Sequence, residues 1–205
     1  MNQKLCVIGA GRMGVGITLS YVHAGLDVTL IDIKPRTAAE QAEYFARVRD
    51  DLRRELSILS RLGLLDAAQA EIALARVHLC SREDAQADLR QARAVFEAVP
   101  ERLDAKRDAF LWLGSACAPD TIIASTTSTF LVTELAELVQ DPKRFLNAHW
   151  LNPAYLIPLV EVSRGPQTSD AATQGLMELL RQAGKKPVQC APPPATSCPA
   201  SRRWP

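Results

Sequence analysis

A glycine-rich turn between two apolar segments constrains the fold of this chain more than any other feature. Glycines stand at positions 9, 11 and 14, directly after the apolar run Lys4–Ile8. They open an amphipathic stretch that ends near Gly25, and the β-branched run Val28–Ile31 then closes at Asp32. This order of strand, turn, helix and strand predicts a βαβ unit, whose two strands must be parallel members of one sheet.

Each glycine of this turn has a physical task if the turn binds a dinucleotide. Gly9 permits the tight turn, Gly11 lets the backbone approach a pyrophosphate, and Gly14 lets the helix pack closely on the strand. Arg12 and Met13 complete the G-x-G-x-x-G pattern at the helix N-terminus, where free N–H groups and the helix dipole attract phosphates. The alternative is a glycine-rich turn in some other α/β protein. Because strand, helix and acidic residue all occur in the expected order, we predict a dinucleotide site.

Asp32 indicates which dinucleotide this site takes. Its carboxylate can accept hydrogen bonds from the adenosine ribose hydroxyls, and its charge would repel a 2′-phosphate. NAD is therefore favoured over NADP, although the nearby cations Lys34 and Arg36 weaken the preference.

The rest of the chain alternates strand and helix patterns, which favours an α/β fold: a Rossmann-type, doubly wound and mostly parallel sheet. Residues 38–74 are the exception, because they are rich in Ala, Glu, Arg and Leu at helical spacing and are broken near Gly63. We predict that they form an inserted helical hairpin. The later predicted strands are 77–79, 94–98, 121–124, 145–149, 159–162 and one from 186, and the later helices are 103–117, 132–139 and 169–184. We assign residues 1–189 to one cofactor-binding domain.

Composition and cysteine usage argue against several classes of function. The 205 residues carry 24 Lys and Arg against 23 Asp and Glu, a formal net charge of +1, whereas a nucleic-acid surface needs an excess of cations. No run approaches the roughly 18 apolar residues that span a bilayer. No separate leader precedes Lys4, so we expect a cytoplasmic protein without membrane partners. The five cysteines form no C-x-x-C pair and no two histidines are four residues apart, so no metal site is predicted.

His149 is the strongest candidate for a catalytic side chain. It ends the apolar run Phe145–Ala148, and ligands of open α/β sheets bind beyond the carboxyl ends of the strands. Histidine titrates near neutral pH, so it can take a hydroxyl proton while a hydride leaves the same carbon. Glu161 lies in the apolar run Leu159–Val162, where a carboxylate is costly unless paired. A pair of His149 and Glu161 would orient the imidazole, although a structural histidine is an equal alternative on these grounds alone.

Several further segments carry a family resemblance, and they keep their order and spacing from Phe96 onward. They are Ile8-Gly9-Ala10-Gly11-Arg12-Met13-Gly14, Phe96-Glu97-Ala98-Val99-Pro100-Glu101, Ala124-Ser125-Thr126-Thr127-Ser128, His149-Trp150-Leu151-Asn152-Pro153 and Pro158-Leu159-Val160-Glu161-Val162. Over roughly residues 4–189 the chain resembles the 3-hydroxyacyl-CoA dehydrogenase family. The resemblance implies an NAD-dependent enzyme of fatty acid metabolism and β-oxidation, which oxidises the 3-hydroxyl of a 3-hydroxyacyl-CoA to the 3-ketoacyl-CoA.

The same resemblance implies roles for individual residues. His149 would be the general base and Glu161 its carboxylate partner. Ser128 would contact the substrate oxygen or the nicotinamide edge, and Asn152 would lie in the same pocket. Two cofactor contacts are implied at the start of the helix after the fourth strand, at Glu101 and Lys106. Their alternatives are an acid that stabilises a helix N-terminus and a solvated lysine. Glu97 is interpreted as structural.

Two positions argue against a coenzyme A ester as the substrate. In the acyl-CoA enzymes a serine and a lysine of the hairpin contact CoA, and counting from Asp32 without gaps places them at Val48 and Glu55. Neither side chain suits that role, although arginines lie nearby. The segment Asn152–Glu161 also resembles relatives that oxidise free 3-hydroxy acids, of the gulonate and carnitine type. An inactive NAD-binding module is the remaining alternative.

The last residues, 190–205, depart from the family pattern. They form a Pro-rich tail, where the family would continue with a Pro-Gly-aromatic turn and an all-helical domain that closes the cleft and makes the homodimer interface. Read two bases along, the codons of Pro194–Pro205 can encode Gly-Tyr-Leu-Val-Pro-Arg, which resembles the expected continuation. We therefore expect a frameshift near residue 190, a truncated and impaired enzyme, and no homodimer through the absent domain. The alternative is a native low-complexity tail.

Overall fold

In a computed structural model, which describes residues 4–190, the predicted alternation of strands and helices forms one eight-stranded sheet. The strands lie side by side in the order β3-β2-β1-β4-β5-β6-β7-β8. Every neighbouring pair is parallel except β6 and β7, which confirms a mostly parallel, doubly wound sheet. The strands are β1 (Lys4–Ile8), β2 (Val28–Asp32), β3 (Val77–Ser81), β4 (Ala92–Glu97), β5 (Ile122–Ser125), β6 (Phe145–Trp150), β7 (Leu159–Arg164) and β8 (Lys186–Gln189).

The glycine turn lies where the strand order reverses, between β1 and β4. Gly9 N donates to Ile31 O and Ala98 N donates to Ile8 O, both at 2.9 Å, so the turn is bonded to both neighbouring strand ends. At such a point the loops that leave adjacent strands diverge and leave a crevice at the carboxyl edge of the sheet. The fold therefore creates a ligand crevice beside the predicted dinucleotide turn.

Helices cover both faces of the sheet. Successive side chains of a strand point to opposite faces, so Leu5 and Val7 belong to one apolar cluster while Cys6 and Ile8 belong to the other. The first cluster includes residues of α1, α2, α3 and α7, and the second includes residues of α4, α5 and α6. The described helices are α1 (Arg12–His23), α2 (Ala38–Arg61), α3 (Ala67–Ala75), α4 (Gln86–Arg90), α5 (Leu103–Ala116), α6 (Val132–Ala136) and α7 (Asp170–Gln182). None of them combines the length and the apolar content that a membrane crossing requires.

The inserted hairpin is confirmed and consists of α2 and α3. A capping box begins α2, because Glu40 N donates to Thr37 Oγ1 at 3.4 Å and Thr37 N donates to the Glu40 carboxylate at 2.8 Å. Gly63 adopts a φ of +71°, which glycine tolerates best, and ends the first helix. Asp66 caps the second helix through Gln69 N at 2.8 Å. The apolar stripe of α2 then packs on α1 and α3 within the first apolar cluster.

Differences from the predicted elements are local. The helix α4 and a single 3-10 turn at Pro142–Arg144 were not predicted, because elements of three to five residues are too short to show a helical period. β7 runs antiparallel to β6, which an alternating strand and helix pattern does not reveal. Residues 191–205, which include Cys198 and nearly all of the predicted tail, lie outside the described residues. The domain boundary and the frameshift stay predictions that the nucleotide sequence of the gene would test.

Candidate functional site

The three glycines of the turn differ in what a side chain would meet. A Cβ on Gly9, whose φ is +94°, would lie 2.6 Å from Ala98 O, and a Cβ on Gly14 would lie 1.9 Å from Gly9 O. These two glycines are therefore needed by the fold itself. A Cβ on Gly11 would meet no atom within 4 Å among the described residues. The space above Gly11 is open, as the close approach of a pyrophosphate requires.

The first turn of α1 is available for an anion. Gly11 precedes the helix, and within residues 4–190 no side chain caps its first N–H groups and no acid lies in its first turn. These N–H groups and the helix dipole fit the phosphates of a dinucleotide. Arg12 is exposed and lines the adjacent crevice, whereas the Met13 side chain packs partly on the core. A contact from Met13 to the cofactor stays a prediction.

Asp32 lies at the carboxyl end of β2, where the sequence predicted a ribose contact. Its carboxylate is buried and already bonded, since Arg36 Nε lies 2.5 Å from Oδ2 and Gln41 Nε2 lies 3.3 Å from the same oxygen. The Arg36 guanidinium also stacks on Tyr44, 3.9 Å from the ring centroid. A ribose would have to share Asp32 with Arg36. The ribose contact therefore stays a prediction.

The two predicted catalytic side chains face each other across β6 and β7. In the antiparallel register His149 pairs with Glu161, and Nδ1 lies 2.8 Å from Oε2. On the other side of the ring, Nε2 lies 3.1 Å from Ser128 Oγ. If Nδ1 carries the proton and donates a hydrogen bond to Glu161, Nε2 has a free lone pair that accepts a hydrogen bond from Ser128. Three side chains predicted from separate motifs thus form one hydrogen-bonded series.

The solvent exposure of Glu161 differs from the expectation drawn from its apolar neighbours in the sequence. Glu161 was expected to be a costly buried carboxylate, but its side chain is 45% exposed. The reason is that β7 is buried on one face only, and Glu161 points to the other. His149 is 27% exposed, so its imidazole remains accessible to a small molecule in the crevice.

The predicted cofactor contact Glu101 holds the loop that carries Ser128. Its Oε1 accepts hydrogen bonds from Ser128 N and Thr129 N, both at 3.2 Å, from Thr129 Oγ1 at 2.9 Å and from Thr127 Oγ1. Partial burial alone would raise the pKa of Glu101, but the threonine hydroxyls and the Lys106 ammonium together lower it, so the carboxylate stays charged. Thr127 and Thr129 were not singled out from the sequence, although the hydroxyl run at 125–129 could have indicated them.

The second predicted cofactor contact, Lys106, is not the solvated lysine of the alternative interpretation. Its side chain is fully buried, and Nζ lies 3.0 and 3.1 Å from the two oxygens of Glu97 and 3.2 Å from Glu101 Oε2. Burial raises the pKa of Glu97, while Lys106 and Ser125 oppose that rise. The interpretation of Glu97 as structural agrees with its complete burial. A direct contact from Lys106 to the cofactor stays a prediction.

Asn152 lines a cavity of about 320 Å³ beside the glycine turn. Gly11 and Arg12 form one side of this cavity, and the hairpin forms the other through Asp51 and Glu55. The Glu55 carboxylate accepts a hydrogen bond from Tyr155 Oη. The sequence did not indicate Tyr155 as part of the site. Asn152 is exposed in this wall. Its predicted contact with substrate stays a prediction.

Other titratable groups lie away from the crevice. His23 and His78 are exposed. His78, Cys80 and Asp88 place their ligand atoms within 4.8 Å of one another, although no metal site was predicted. The Lys4 ammonium already forms an ion pair with Asp88. This group is therefore neutralised by a cation of the chain itself.

Comparison with known proteins agrees with this geometry. Residues 4–192 match the family model described as 3-hydroxyacyl-CoA dehydrogenase, NAD binding domain. A probable 3-hydroxybutyryl-CoA dehydrogenase of Deinococcus radiodurans is 36% identical over 188 residues, which are 92% of this chain and 64% of the relative. An L-carnitine dehydrogenase of Streptomyces coelicolor is 35% identical over 186 residues, 91% of this chain and 54% of that protein. Among solved structures, the chain resembles the crystal structure of 3-hydroxybutyryl-CoA dehydrogenase from Escherichia coli, with a TM-score of 0.82 and 34% sequence identity. The match covers 95% of this chain and 39% of the Escherichia coli chain.

These matches fix the family and the cofactor at the level of the domain. The chain spans 64% or less of the length of these relatives. The glycine turn with its open position at Gly11 fits the dinucleotide that the matching domain binds. The chain belongs to the 3-hydroxyacyl-CoA dehydrogenase family and carries its NAD-binding domain.

Proposed function

We propose that the chain oxidises the 3-hydroxyl of a 3-hydroxyacyl-CoA to the 3-ketoacyl-CoA, with NAD as the cofactor. The observation that carries this proposal is the hydrogen-bonded series of Ser128, His149 and Glu161 at the carboxyl edge of the sheet. The names of the relatives support the substrate class, because the Deinococcus and Escherichia proteins are described as 3-hydroxybutyryl-CoA dehydrogenases.

His149 would act as the general base. With Nδ1 held by Glu161, Nε2 is the basic nitrogen and faces the crevice beside Ser128. NAD, when bound, supplies the acceptor for the hydride that leaves C3 of the substrate. Nε2 takes the hydroxyl proton, and the carboxylate 2.8 Å from Nδ1 stabilises the imidazolium that results.

Ser128 would position the reacting oxygen. Its Oγ lies 3.1 Å from Nε2, so a substrate hydroxyl that reaches the base can also form a hydrogen bond with this serine. The bonds from Ser128 N and Thr129 N to Glu101 hold the serine at that distance. Orientation of this kind is a large part of the rate that an enzyme supplies.

The proposal is tested by the reduction of NAD in the presence of 3-hydroxybutyryl-CoA, followed at the absorbance of NADH. Free 3-hydroxybutyrate, gulonate and carnitine are the comparison substrates, and NAD affinity is measured on the same preparation. The proposal expects the highest kcat/KM with the CoA ester. NAD binding without turnover of any substrate would support an inactive NAD-binding module and contradict the proposal.

A free 3-hydroxy acid is the second candidate, and the hairpin wall of the cavity favours it. Val48 is buried, and Glu55 offers a carboxylate held by Tyr155. Asp51 adds a second carboxylate to the same wall, and Arg54 Nη1 lies 2.9 Å from its Oδ1, so Glu55 is the more effective negative charge. Negative side chains oppose the approach of coenzyme A phosphates, whereas they suit a free hydroxy acid that also carries an ammonium group, such as carnitine. The Streptomyces relative is described as an L-carnitine dehydrogenase.

A charge reversal separates the two candidates. With Glu55→Lys we expect KM for the CoA ester to fall and KM for carnitine to rise, because the wall loses a carboxylate and gains an ammonium. Glu71→Lys is the matched control, since Glu71 is an exposed acid on α3 that does not line this cavity. An equal effect of both variants would contradict a role for Glu55 in substrate choice.

A part in β-oxidation, a cytoplasmic location and the state of association stay predictions.

A further inference from the structure

The buried ion pair of Lys106 and Glu97 lies beneath the loop that carries Ser128. Both side chains are fully buried, and Nζ lies 3.0 and 3.1 Å from the two carboxylate oxygens. A buried ion pair adds little net stability, because the cost of removing both charges from water offsets their attraction. Stability alone therefore does not account for this pair.

Lys106 also contacts the carboxylate of Glu101, whose two oxygens have different partners. Oε2 lies 3.2 Å from Nζ. Oε1 is left to accept the hydrogen bonds from Thr127, Ser128 and Thr129. The lysine thus fixes one oxygen of Glu101 while the other holds the loop.

Glu97 holds the other end of the same loop. Its Oε2 accepts from Ser125 Oγ at 2.6 Å, and its backbone oxygen accepts from Thr126 N at 3.0 Å. The ion pair therefore holds one end of the segment 125–129 directly, through Glu97, and the other end through Glu101. Within that segment Ser128 Oγ lies 3.1 Å from His149 Nε2.

We propose that Lys106 and Glu97 are positioning residues, which hold Glu101 and the segment 125–129 in the conformation that presents Ser128 to His149. The proposal rests on the proposed function only for the role of Ser128. Loss of the Lys106 ammonium removes the donor that fixes Oε2 of Glu101, so Glu101 is no longer held in the orientation in which Oε1 accepts from the loop. Loss of the Glu97 charge alone leaves Lys106 bonded to Glu101, so its effect is smaller.

The decisive measurement is amide hydrogen exchange of Ser128 and Thr129, read by NMR on the full chain without substrate. In Lys106→Met we expect the exchange of these two amides to rise at least about tenfold relative to the amides of β4, a loss of about 1.4 kcal/mol of local protection. Arg144→Met is the matched control. Arg144 is also a buried cation, but it donates to Ala118 O at 2.6 Å at the opposite end of the sheet. The control should lower global stability and leave the ratio of Ser128 to β4 exchange unchanged.

The nearly isosteric Glu97→Gln decides the question if Lys106→Met does not fold. The proposal expects the exchange of Ser128 and Thr129 in Glu97→Gln to rise relative to the wild type, measured against the amides of β4. Where Lys106→Met folds, the rise in Glu97→Gln should be the smaller of the two, and the double variant should show less than the sum of the two effects. Unchanged exchange in Glu97→Gln and in folded Lys106→Met would overturn it.

Kinetics on the same samples separates positioning from a direct cofactor contact. Positioning predicts that kcat falls by about 10²-fold in Lys106→Met with little change in NAD affinity. A loss confined to NAD affinity would overturn the proposal in favour of a direct contact. If the wild-type chain turns over no substrate, the proposed function fails, while the exchange measurement still decides the role of the pair.

Discussion

The imidazole of His149 lies directly across two antiparallel strands from Glu161, with 2.8 Å between Nδ1 and Oε2. The pairing follows from the strand register, so it does not depend on a flexible loop. The opposite nitrogen, Nε2, lies 3.1 Å from Ser128 Oγ and is the atom that a substrate hydroxyl would reach. If His149 is the general base, as proposed, its tautomer is set by the fold.

Replacement of His149 by Gln is expected to reduce turnover by about 10²–10⁴-fold, the usual contribution of a general base. NAD affinity should not change, because His149 does not belong to the glycine turn. Glu161→Gln should cost less, since an amide oxygen can still accept from Nδ1. Initial rates of NADH formation measure both effects, with the exposed His23→Gln as control. If His149→Gln retains wild-type turnover, His149 is not the base.

In the glycine turn, a methyl group added at one position should change NAD affinity, and a methyl group added at another should change stability. Gly11→Ala adds a Cβ in open space, so we expect a folded protein whose NAD affinity falls by about tenfold or more, because the methyl group occupies the position of the pyrophosphate. Gly9→Ala adds a Cβ 2.6 Å from Ala98 O at a φ of +94°, so we expect it to lower the free energy of unfolding by about 1–3 kcal/mol. Calorimetric NAD titration and urea unfolding of both variants test this contrast. Equal NAD affinity in Gly11→Ala and wild type would contradict the assigned site.

Two tyrosines offer a matched test of hydrogen bonding in the core. Tyr21 Oη is fully buried and has no hydrogen-bond partner among residues 4–190, whereas Tyr44 Oη donates to Ala10 O at 3.2 Å. A buried hydroxyl without a partner costs about 1–3 kcal/mol. We therefore expect Tyr21→Phe to raise the free energy of unfolding by about 1 kcal/mol and Tyr44→Phe to lower it by a similar amount. Urea unfolding measures both, and a destabilised Tyr21→Phe would show that the hydroxyl is hydrogen-bonded in solution.

Much of the site could be predicted because its residues lie at strand ends. Gly11 and His149 each follow or close an apolar run, and the carboxyl ends of parallel strands meet at one edge. The burial of Lys106 could not be predicted, because it depends on how a helix packs on the sheet. The sequence placed Arg36 near Asp32, but the bond between them depends on the conformation of the loop after β2, which residue spacing does not give. Sequence spacing places Lys106 on a helix but does not show which helix face meets the sheet. For the same reason the half-exposed state of Glu161 was missed.

Lys185 makes the stability of this domain depend on pH in a predictable direction. Its ammonium is buried and donates to Ala154 O at 2.6 Å and to Ile157 O at 3.1 Å. Burial lowers the pKa of Lys185 from 10.5 to about 8. Between these two values the unfolded chain binds a proton that the folded chain does not, so this residue makes the folded state more stable as pH rises.

Comparison of the wild type with Lys185→Met isolates this contribution. The burial cost is complete only below about pH 7 and falls as pH rises, so the wild type should gain about 2 kcal/mol of unfolding free energy relative to Lys185→Met between pH 8 and pH 10. The buried thiols of Cys6 and Cys80 have raised pKa values and act in the opposite direction, but they occur in both proteins and cancel in the difference. Lys186→Met is the matched control, because Lys186 is the exposed neighbour in β8. Urea unfolding at pH 7, 8, 9 and 10 gives the difference in unfolding free energy between the wild type and each variant. If the difference for Lys185→Met does not change with pH, the Lys185 ammonium keeps its ordinary pKa in the folded chain.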